Sequence, residues 1–303
     1  VHWEYLGPIA VVNLLALLAF VPWYFSWSGV AVMILFINVF STLGINLCYH
    51  RLLAHRSLTV PLWLERTLAT IAICSLEDTP ARWVATHRLH HVHSDEEPDP
   101  HSPRDGIGWS HVGWLFTRAD GRRSFSFFEK YSRDILTDDY YRYLERHPTA
   151  FSFYATHAAV ISGLGFLVGS VAGGDRGAGR QLAVSWLVWD VFVRTVLFWH
   201  ITWSVNSLTH LFGYRTYRTG EDSRNNWLVA LLANGEGWHN NHHHDPASAS
   251  VQHRWWELDV TYYIILALEK CGLATNVSGQ DMPAAGPDTS RGGQFLRRLE
   301  LTG

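Results

Sequence analysis

Charge is what this sequence has least of. Asp, Glu, Lys and Arg make up 17% of its 303 residues, where a soluble domain carries about a quarter. Hydrophobic residues reach 48%, and Trp, Phe and Tyr 14%, a balance that points to a membrane protein. Mean hydropathy is nevertheless near neutral at -0.02, so a large part of the chain must meet water. The net charge of -3 comes with no basic, aromatic-interleaved patch, so no nucleic acid is expected as a partner. Cysteine is scarce too. Cys48, Cys74 and Cys271 are odd in number and show no CxxC spacing, which argues against a disulfide framework and against a thiolate zinc site. The first apolar stretch has neither a basic lead-in nor a small-residue cleavage site, so no cleavable secretory signal is expected.

What is present is four apolar runs. Residues 7–25 are uncharged, with Trp23 and Tyr24 near the end, where amphipathic rings favour the membrane interface. Residues 30–49 form a second run of spanning length after a very short turn. Residues 151–171 and 182–201 give a third and a fourth. The expectation is an all-α integral membrane protein with four transmembrane helices in two hairpins. A cap built from residues 50–150 and 202–277 lies on one side, and residues 278–303, rich in Gly, Pro, Ser and Arg, read as a disordered tail. Arg51, Arg56, Arg82, Arg88, Arg104, Arg118, Arg122 and Arg123 crowd the first cap segment, which places the cap in the cytoplasm. Residues 58–76 hold an apolar patch broken by Pro61, Glu65 and Arg66, better suited to an amphipathic helix than to a span. Asn38, Thr42 and Asn46 recur every four residues along the second run, as helix-to-helix hydrogen bonders or as the wall of a substrate passage. Asp190 and Arg194, four apart in the fourth run, read as a structural pair.

Histidine carries the chemistry. His239, His242 and His243 stand at i, i+3 and i+4, and His87, His90 and His91 repeat the pattern, a spacing that puts three imidazoles on one helical face. His50 and His55 follow the second run. Five residues apart, they would share a site only near a helix end or from opposite flanks. Asn206 and His210 follow the fourth run at i, i+4. Neutral imidazole is the commonest protein ligand for zinc, copper, iron and nickel, and clusters delivered to one membrane face make a nitrogen-rich site. About nine candidates exceed what one zinc ion takes and favour two metals. The carboxylates Asp95, Glu96, Glu97 and Asp99 read as solvated groups or as groups orienting the histidines. His2, His93, His101, His111, His147, His157, His244 and His253 read as supporting, surface or packing residues, and His200 as a donor to a ligand or a wall residue.

At this point the motifs carry a resemblance. The runs His50-Arg-Leu-Leu-Ala-His55-Arg-Ser, Trp83-Val-Ala-Thr-His87-Arg-Leu-His90-His91, Trp203-Ser-Val-Asn206-Ser-Leu-Thr-His210 and Gly235-Glu-Gly-Trp-His239-Asn-Asn-His242-His243 resemble the membrane fatty acid desaturases, nearest the delta-9 acyl desaturases of the bacterial and cyanobacterial branch. The resemblance implies two irons held by His50, His55, His87, His90, His91, His210, His239, His242 and His243, with Asn206 acting through a water. It implies an acyl tunnel in which Trp83 and Thr202 line a bend and Asn38 and Thr42 lie on the helix that closes the far end. It further implies an O2-dependent reaction. The sequence has no flavin fingerprint, cysteine cluster or separate haem domain, so a ferredoxin or cytochrome b5-like donor would bring the electrons. Acyl-CoA, acyl carrier protein and acyl-lipid all remain open as substrate, and a bacterial inner membrane is the expected location. Two departures stand out: Glu77, then Asp78, where the family often has glutamine six residues before the tryptophan, and His244-Asp245 after the third cluster. The rival readings are a hydroxylase with the same cap and, from another class, a metal-transporting membrane protein.

Overall fold

A computed structural model describes residues 2–117 and 124–279. Arg118, Arg122, Arg123 and tail residues 280–303 lie outside the described residues. In chain order the α-helices are α1 (Trp3–Ala16), α2 (Trp27–Val39), α3 (Leu62–Ile73), α4 (Pro80–His93), α5 (Ile107–His111), α6 (Phe125–Leu136), α7 (Asp139–Leu144), α8 (Thr149–Gly173), α9 (Arg176–Trp186), α10 (Arg194–Leu211), α11 (Trp227–Leu232), α12 (His239–His244) and α13 (Val260–Lys270). Among the described residues there is no β-strand, only isolated bridges such as Thr59 with Thr275.

Four helical segments are long and apolar enough to cross a membrane: Trp3–Phe20, Trp27–Ala54, Thr149–Gly173 and Arg176–Leu211. Their bounds differ from the sequence expectation for local reasons. The first ends at Phe20, because Pro22 pushes Val21 into an extended conformation. The second starts at Trp27, where the Ser26 hydroxyl accepts from the Gly29 N–H, and then runs past residue 49 to Ala54. The fourth starts at Arg176, capped by Asp175, and continues ten residues beyond 201 without a break. The second and fourth segments therefore carry their His residues on the same rigid helices that are apolar lower down.

α8 and α9 approach closely through small residues. A Cβ placed at Gly169 would come within 2.6 Å of the Ala178 carbonyl oxygen, and one at Gly165 within 2.9 Å of the Leu182 oxygen. Dispersion and close backbone contact drive such packing where no water is displaced. α3 is amphipathic as expected, burying Leu68, Ala69, Ala72 and Ile73 while Leu62 and Trp63 remain exposed.

The polar residues of the long helices find mixed partners. Asn46 donates to the Ala233 carbonyl at 2.9 Å and to the Thr261 hydroxyl at 3.2 Å, so it joins elements, whereas Asn38 bonds its own Ile34 carbonyl at 2.8 Å. The Asp190–Arg194 pair is looser than expected. Its carboxylate and guanidinium are 3.9 Å apart, and Asp190 instead takes His157 Nε2 at 3.1 Å, while Arg194 lies 4.2 Å over the Phe40 ring.

Candidate metal centre

The segment Phe40–Ala54 is π-helical, a state in which residues five apart hydrogen-bond and stack. The His55 N–H accordingly donates to the His50 carbonyl at 3.0 Å. A five-residue spacing that splays two rings on an α-helix thus brings these two to 4.8 Å, centroid to centroid. This is why one long helix can give both rings to the same site, an option that α-helical periodicity hides.

α4 presents His87, His90 and His91, and α12 presents His239, His242 and His243. The turn into α12 depends on two glycines. Gly235 has φ +117°, in the region where a side chain is strained, and a Cβ at Gly237 would fall 2.0 Å from the Ala230 nitrogen. Asparagines then fasten α12 to the loops around it. Asn225 Oδ1 accepts from the backbone of Asn240 and Asn241 at 3.0 and 3.2 Å, and Asn241 Nδ2 donates to Glu257 at 2.8 Å.

These elements bring nine imidazoles into two adjoining groups. One ring nitrogen from each of His50, His55, His87, His91 and His242 lies within 4.8 Å of the others, and the same holds for His90, His210, His239 and His243. Nε2 atoms meet in pairs: His50 with His242 at 3.0 Å, His55 with His87 at 2.7 Å, His91 with His242 at 2.9 Å, His239 with His243 at 3.0 Å, and His90 with His243 at 3.3 Å.

Carboxylates on the far side of the rings decide which nitrogens carry protons. His50 Nδ1 donates to Glu236 at 2.8 Å, His90 Nδ1 to Asp99 at 3.0 Å and His210 Nδ1 to Asp95 at 3.1 Å. An imidazole that keeps a single proton on the Nδ1 so held turns a bare Nε2 lone pair inward. His210 Nε2 is buried with no hydrogen-bond partner among the described residues, and His50 Nε2 faces another imidazole nitrogen. Buried lone pairs pointed at one another are costly unless a cation lies between them. The donor set therefore fits metal binding.

The electrostatics agree for six of the nine rings, whereas for His90 burial is outweighed by Asp99, which raises it above the ordinary histidine value. Burial, and then mutual repulsion among the imidazoles, hold His55, His87, His91, His239, His242 and His243 well below the ordinary histidine value. These rings are neutral near pH 7, the form that ligates. Burial would raise Glu236, but His50 and Arg51 override it and hold its carboxyl at about 2. Asp99 and Asp95 are likewise held below the usual carboxylate range: burial opposes this, but His90 for Asp99 and His210 for Asp95 prevail. Arg51, itself buried, bridges Glu236 and Asp259 at 2.9 Å each and donates to the Ala249 carbonyl at 2.8 Å.

A cavity of about 390 Å3 opens beside the first group, lined among others by Glu77, Trp83, His87, Trp199, Thr202 and Asn206. The Trp83 ring stacks on His87 with centroids 4.9 Å apart. Glu77 is half-buried and faces the cavity. Burial pushes its carboxyl up to about 8, with hydrogen bonds from Thr202 and Trp83 offsetting part of the rise. Asn38 and Thr42 are not among the lining residues; Thr42 is buried and Asn38 exposed.

Of the remaining sequence candidates, Asp95 and Asp99 orient histidines as expected, and Glu96 and Glu97 are exposed. His101 is buried with its ring 4.5 Å from that of His90. His200 pairs with His111, Nδ1 to Nε2 at 2.9 Å. Sequence reading missed Glu236, Arg51 and Asp259. Glu236 at least lies inside the Gly235–His243 run, and its charge among neutral neighbours was the available signal.

Comparison with known proteins covers the stretch that holds the site. The family model described as "Fatty acid desaturase" covers residues 8–272. The chain belongs to the fatty acid desaturase family. Among its relatives is the sn-1 stearoyl-lipid 9-desaturase of Anabaena variabilis, 42% identical over 266 residues, or 88% of this chain and 90% of that protein. The Delta-9 acyl-lipid desaturase 2 of Arabidopsis thaliana is 39% identical over 271 residues, covering 88% and 79%. The Acyl-CoA 5-desaturase AL21 of Anemone leveillei is 38% identical over 258 residues, covering 84% and 74%. This desaturase is thus an oxidoreductase whose His-rich groups fit a metal centre, in a chain with four helices fit to span a membrane.

Proposed function

We propose that this desaturase holds two irons and introduces a double bond, at the delta-9 position, into the acyl chain of a membrane lipid. The observation that carries the reading is the pair of adjoining imidazole groups, with lone pairs turned inward, beside a cavity walled by Trp83, Thr202 and Asn206. His50, His55, His87, His91 and His242 would hold one iron, and His90, His210, His239 and His243 the other, with Asn206 reaching it through a water. Two bound irons supply dioxygen activation and the oxidising power to take hydrogen from an unactivated methylene.

The chain's own residues do the positioning. A saturated chain has no charged handle at the reacting carbons, so the walls of the passage must set the register. Trp83, fixed by its stack on His87, ties the wall to the metal group, and Thr202 and Glu77 line the same bend. Asn38 and Thr42, on the same helix as His50, would limit the passage from below. The carboxylates of Glu236, Asp99 and Asp95 keep the ring tautomers fixed.

Removing two hydrogens while reducing dioxygen to two waters takes two further electrons and two protons. An external ferredoxin or cytochrome b5-like carrier supplies the electrons. The short connections between spans support a two-hairpin arrangement, and the arginine-rich first cap segment supports placing residues 50–150 and 202–277 as a cap on the cytoplasmic side of a bacterial inner membrane. Acyl-lipid is preferred as carrier because two of the three relatives described above are named for lipids, and delta-9 because the same two are named for that position. The test is mass spectrometry with double-bond localisation on lipids of a desaturase-deficient host. The chain should yield a delta-9 monoene on glycerolipid that His239→Ala abolishes. A hydroxylated chain, or no acyl change with a competent donor present, would contradict it.

A further inference from the structure

His244 is one of the residues by which the third His cluster departs from the family pattern, and its ring is not idle. It ends α12 directly after His243 and lies flat on Tyr217, with centroids 3.8 Å apart and planes 5° from parallel. The Tyr217 hydroxyl meets His253 Nδ1 at 2.8 Å. All three side chains are half-buried, so the stack leads from the surface to the chain neighbour of a ring in the second imidazole group. Its position is fixed. Asn240 Oδ1 accepts from the N–H groups of Thr216 and Tyr217 at 2.8 Å each, and Asn240 Nδ2 donates to the Tyr217 carbonyl at 3.1 Å. The Tyr217 loop is thereby tied to the helical turn that holds His239 and His243.

The loops bearing these rings carry arginine. Arg215 and Arg218 stand on either side of Tyr217 in the chain, Arg254 follows His253, and all three are exposed. Arg215 pairs with Asp222 at 2.8 Å, an acid shared with Arg104 at 2.9 Å. Arg218 and Arg254 make no ion pair with a described residue, and the Arg254 guanidinium lies 5.5 Å over the Tyr214 ring. Of the nearby acids, Glu257 is buried and bound by the Tyr214 hydroxyl and by backbone N–H groups, and Asp245 is half-buried. The exposed charge of this face is therefore positive, on a chain whose net charge is negative.

We propose that this face docks an acidic one-electron carrier protein and that the Tyr217–His244 stack is the route by which its electron reaches the metal centre. The proposal rests on the diiron desaturase reading and adds the face and the path. At each docking the reduced carrier loses one electron and the centre gains one, after which the oxidised carrier leaves. Two dockings supply the two electrons of one desaturation, and solvent supplies the two protons. Tunnelling falls steeply with distance, so rings in van der Waals contact, fixed to a turn that bears ligand candidates, give a better path than solvent. Opposite charge on the two partners speeds encounter and sets orientation.

The test uses the full chain in lipid nanodiscs with a plant-type [2Fe–2S] ferredoxin as the probe. Binding should weaken as salt rises, and Arg218→Glu with Arg254→Glu should weaken it at least about tenfold at low salt. Tyr217→Leu should bind ferredoxin like the parent yet slow its oxidation at least about tenfold, whereas Tyr217→Phe, which keeps the ring, should not. On the unaltered protein, hydrogen exchange should show residues 214–220 and 252–256 protected when ferredoxin is added, which keeps the test open if a variant does not fold. Unchanged binding by the double reversal would overturn the proposal. So would unchanged ferredoxin oxidation by Tyr217→Leu, absence of that protection, or equal protection by the bilayer alone. Binding and exchange do not depend on acyl chemistry, so loss of product with docking intact would count against the proposed function and not against the docking face.

Discussion

Raising the pH should ionise Glu77 and disturb the acyl passage. Its carboxyl moves from an ordinary 4.5 to about 8, a rise that corresponds to about 5 kcal/mol of preference for the neutral form. That figure is an upper one, because the carboxyl faces a cavity that water can enter. At pH 7 roughly nine in ten molecules hold Glu77 neutral, and at pH 9 about one in ten does. Between about 4.5 and 8 the unfolded chain has lost this proton and the folded chain has kept it, so stability falls with rising pH, by up to about 1.4 kcal/mol per unit, and levels off above 8. Glu145, which burial pushes up to about 7 on the same cavity, adds a smaller fall ending one unit lower. An acyl chain in the cavity excludes water from Glu77 still further, so chain binding should weaken above about pH 8. The assay is acyl binding and thermal midpoint across pH 5–9 for the parent and Glu77→Gln. The amide cannot ionise, so the variant should lose the alkaline fall in binding and show a shallower loss of stability. An alkaline limb equally steep in Glu77→Gln would refute the assignment.

Other outcomes follow from the surroundings of the site. Arg51→Leu leaves Asp259 as a buried carboxylate with no cation beside it and Glu236 with His50 alone, at a cost of about 3–5 kcal/mol, to be read as a lower unfolding midpoint and lower yield in detergent. Asp95→Asn keeps a residue tolerant of the positive φ found there but removes the charge behind His210. It should weaken one metal by about 10–100-fold in chelator competition and leave the other tight. Gly169→Val should separate α8 from α9 and lower the thermal midpoint, since even a Cβ meets Ala178 at 2.6 Å. Gly163→Ala, with nothing within 4 Å, should leave the midpoint unchanged.

The parts of the fold that were legible in the sequence are those governed by local periodicity. The i, i+3, i+4 histidines of α4 and α12 share faces because both segments are ordinary helix, and the apolar runs mark the four long segments whatever their exact ends. Asp95 and Asp99 were readable because they follow their cluster closely. The His50–His55 spacing left a helix end and opposite flanks both open, and His55 does cap the helix end; the switch to π-helical pairing over Phe40–Ala54 that joins the rings is a tertiary outcome with no residue signature. The same switch breaks the period-four stripe, so Asn46 reaches Ala233 and Thr261 while Asn38 turns back on its own helix. The Arg51–Glu236–Asp259 bridge joins residues about two hundred positions apart, and nothing local announces such a pairing.

In the proposed centre nine histidines form two metal positions. The most direct measurement is elemental analysis of iron per chain after anaerobic reconstitution and removal of loose metal, on the parent, His242→Ala and His243→Ala. The parent should hold two irons. Each variant should lose mainly one, from the first group for His242 and from the second for His243, distinguishable by Mössbauer spectra. A parent that retains one iron or none, or variants that keep the parent's count, would contradict it.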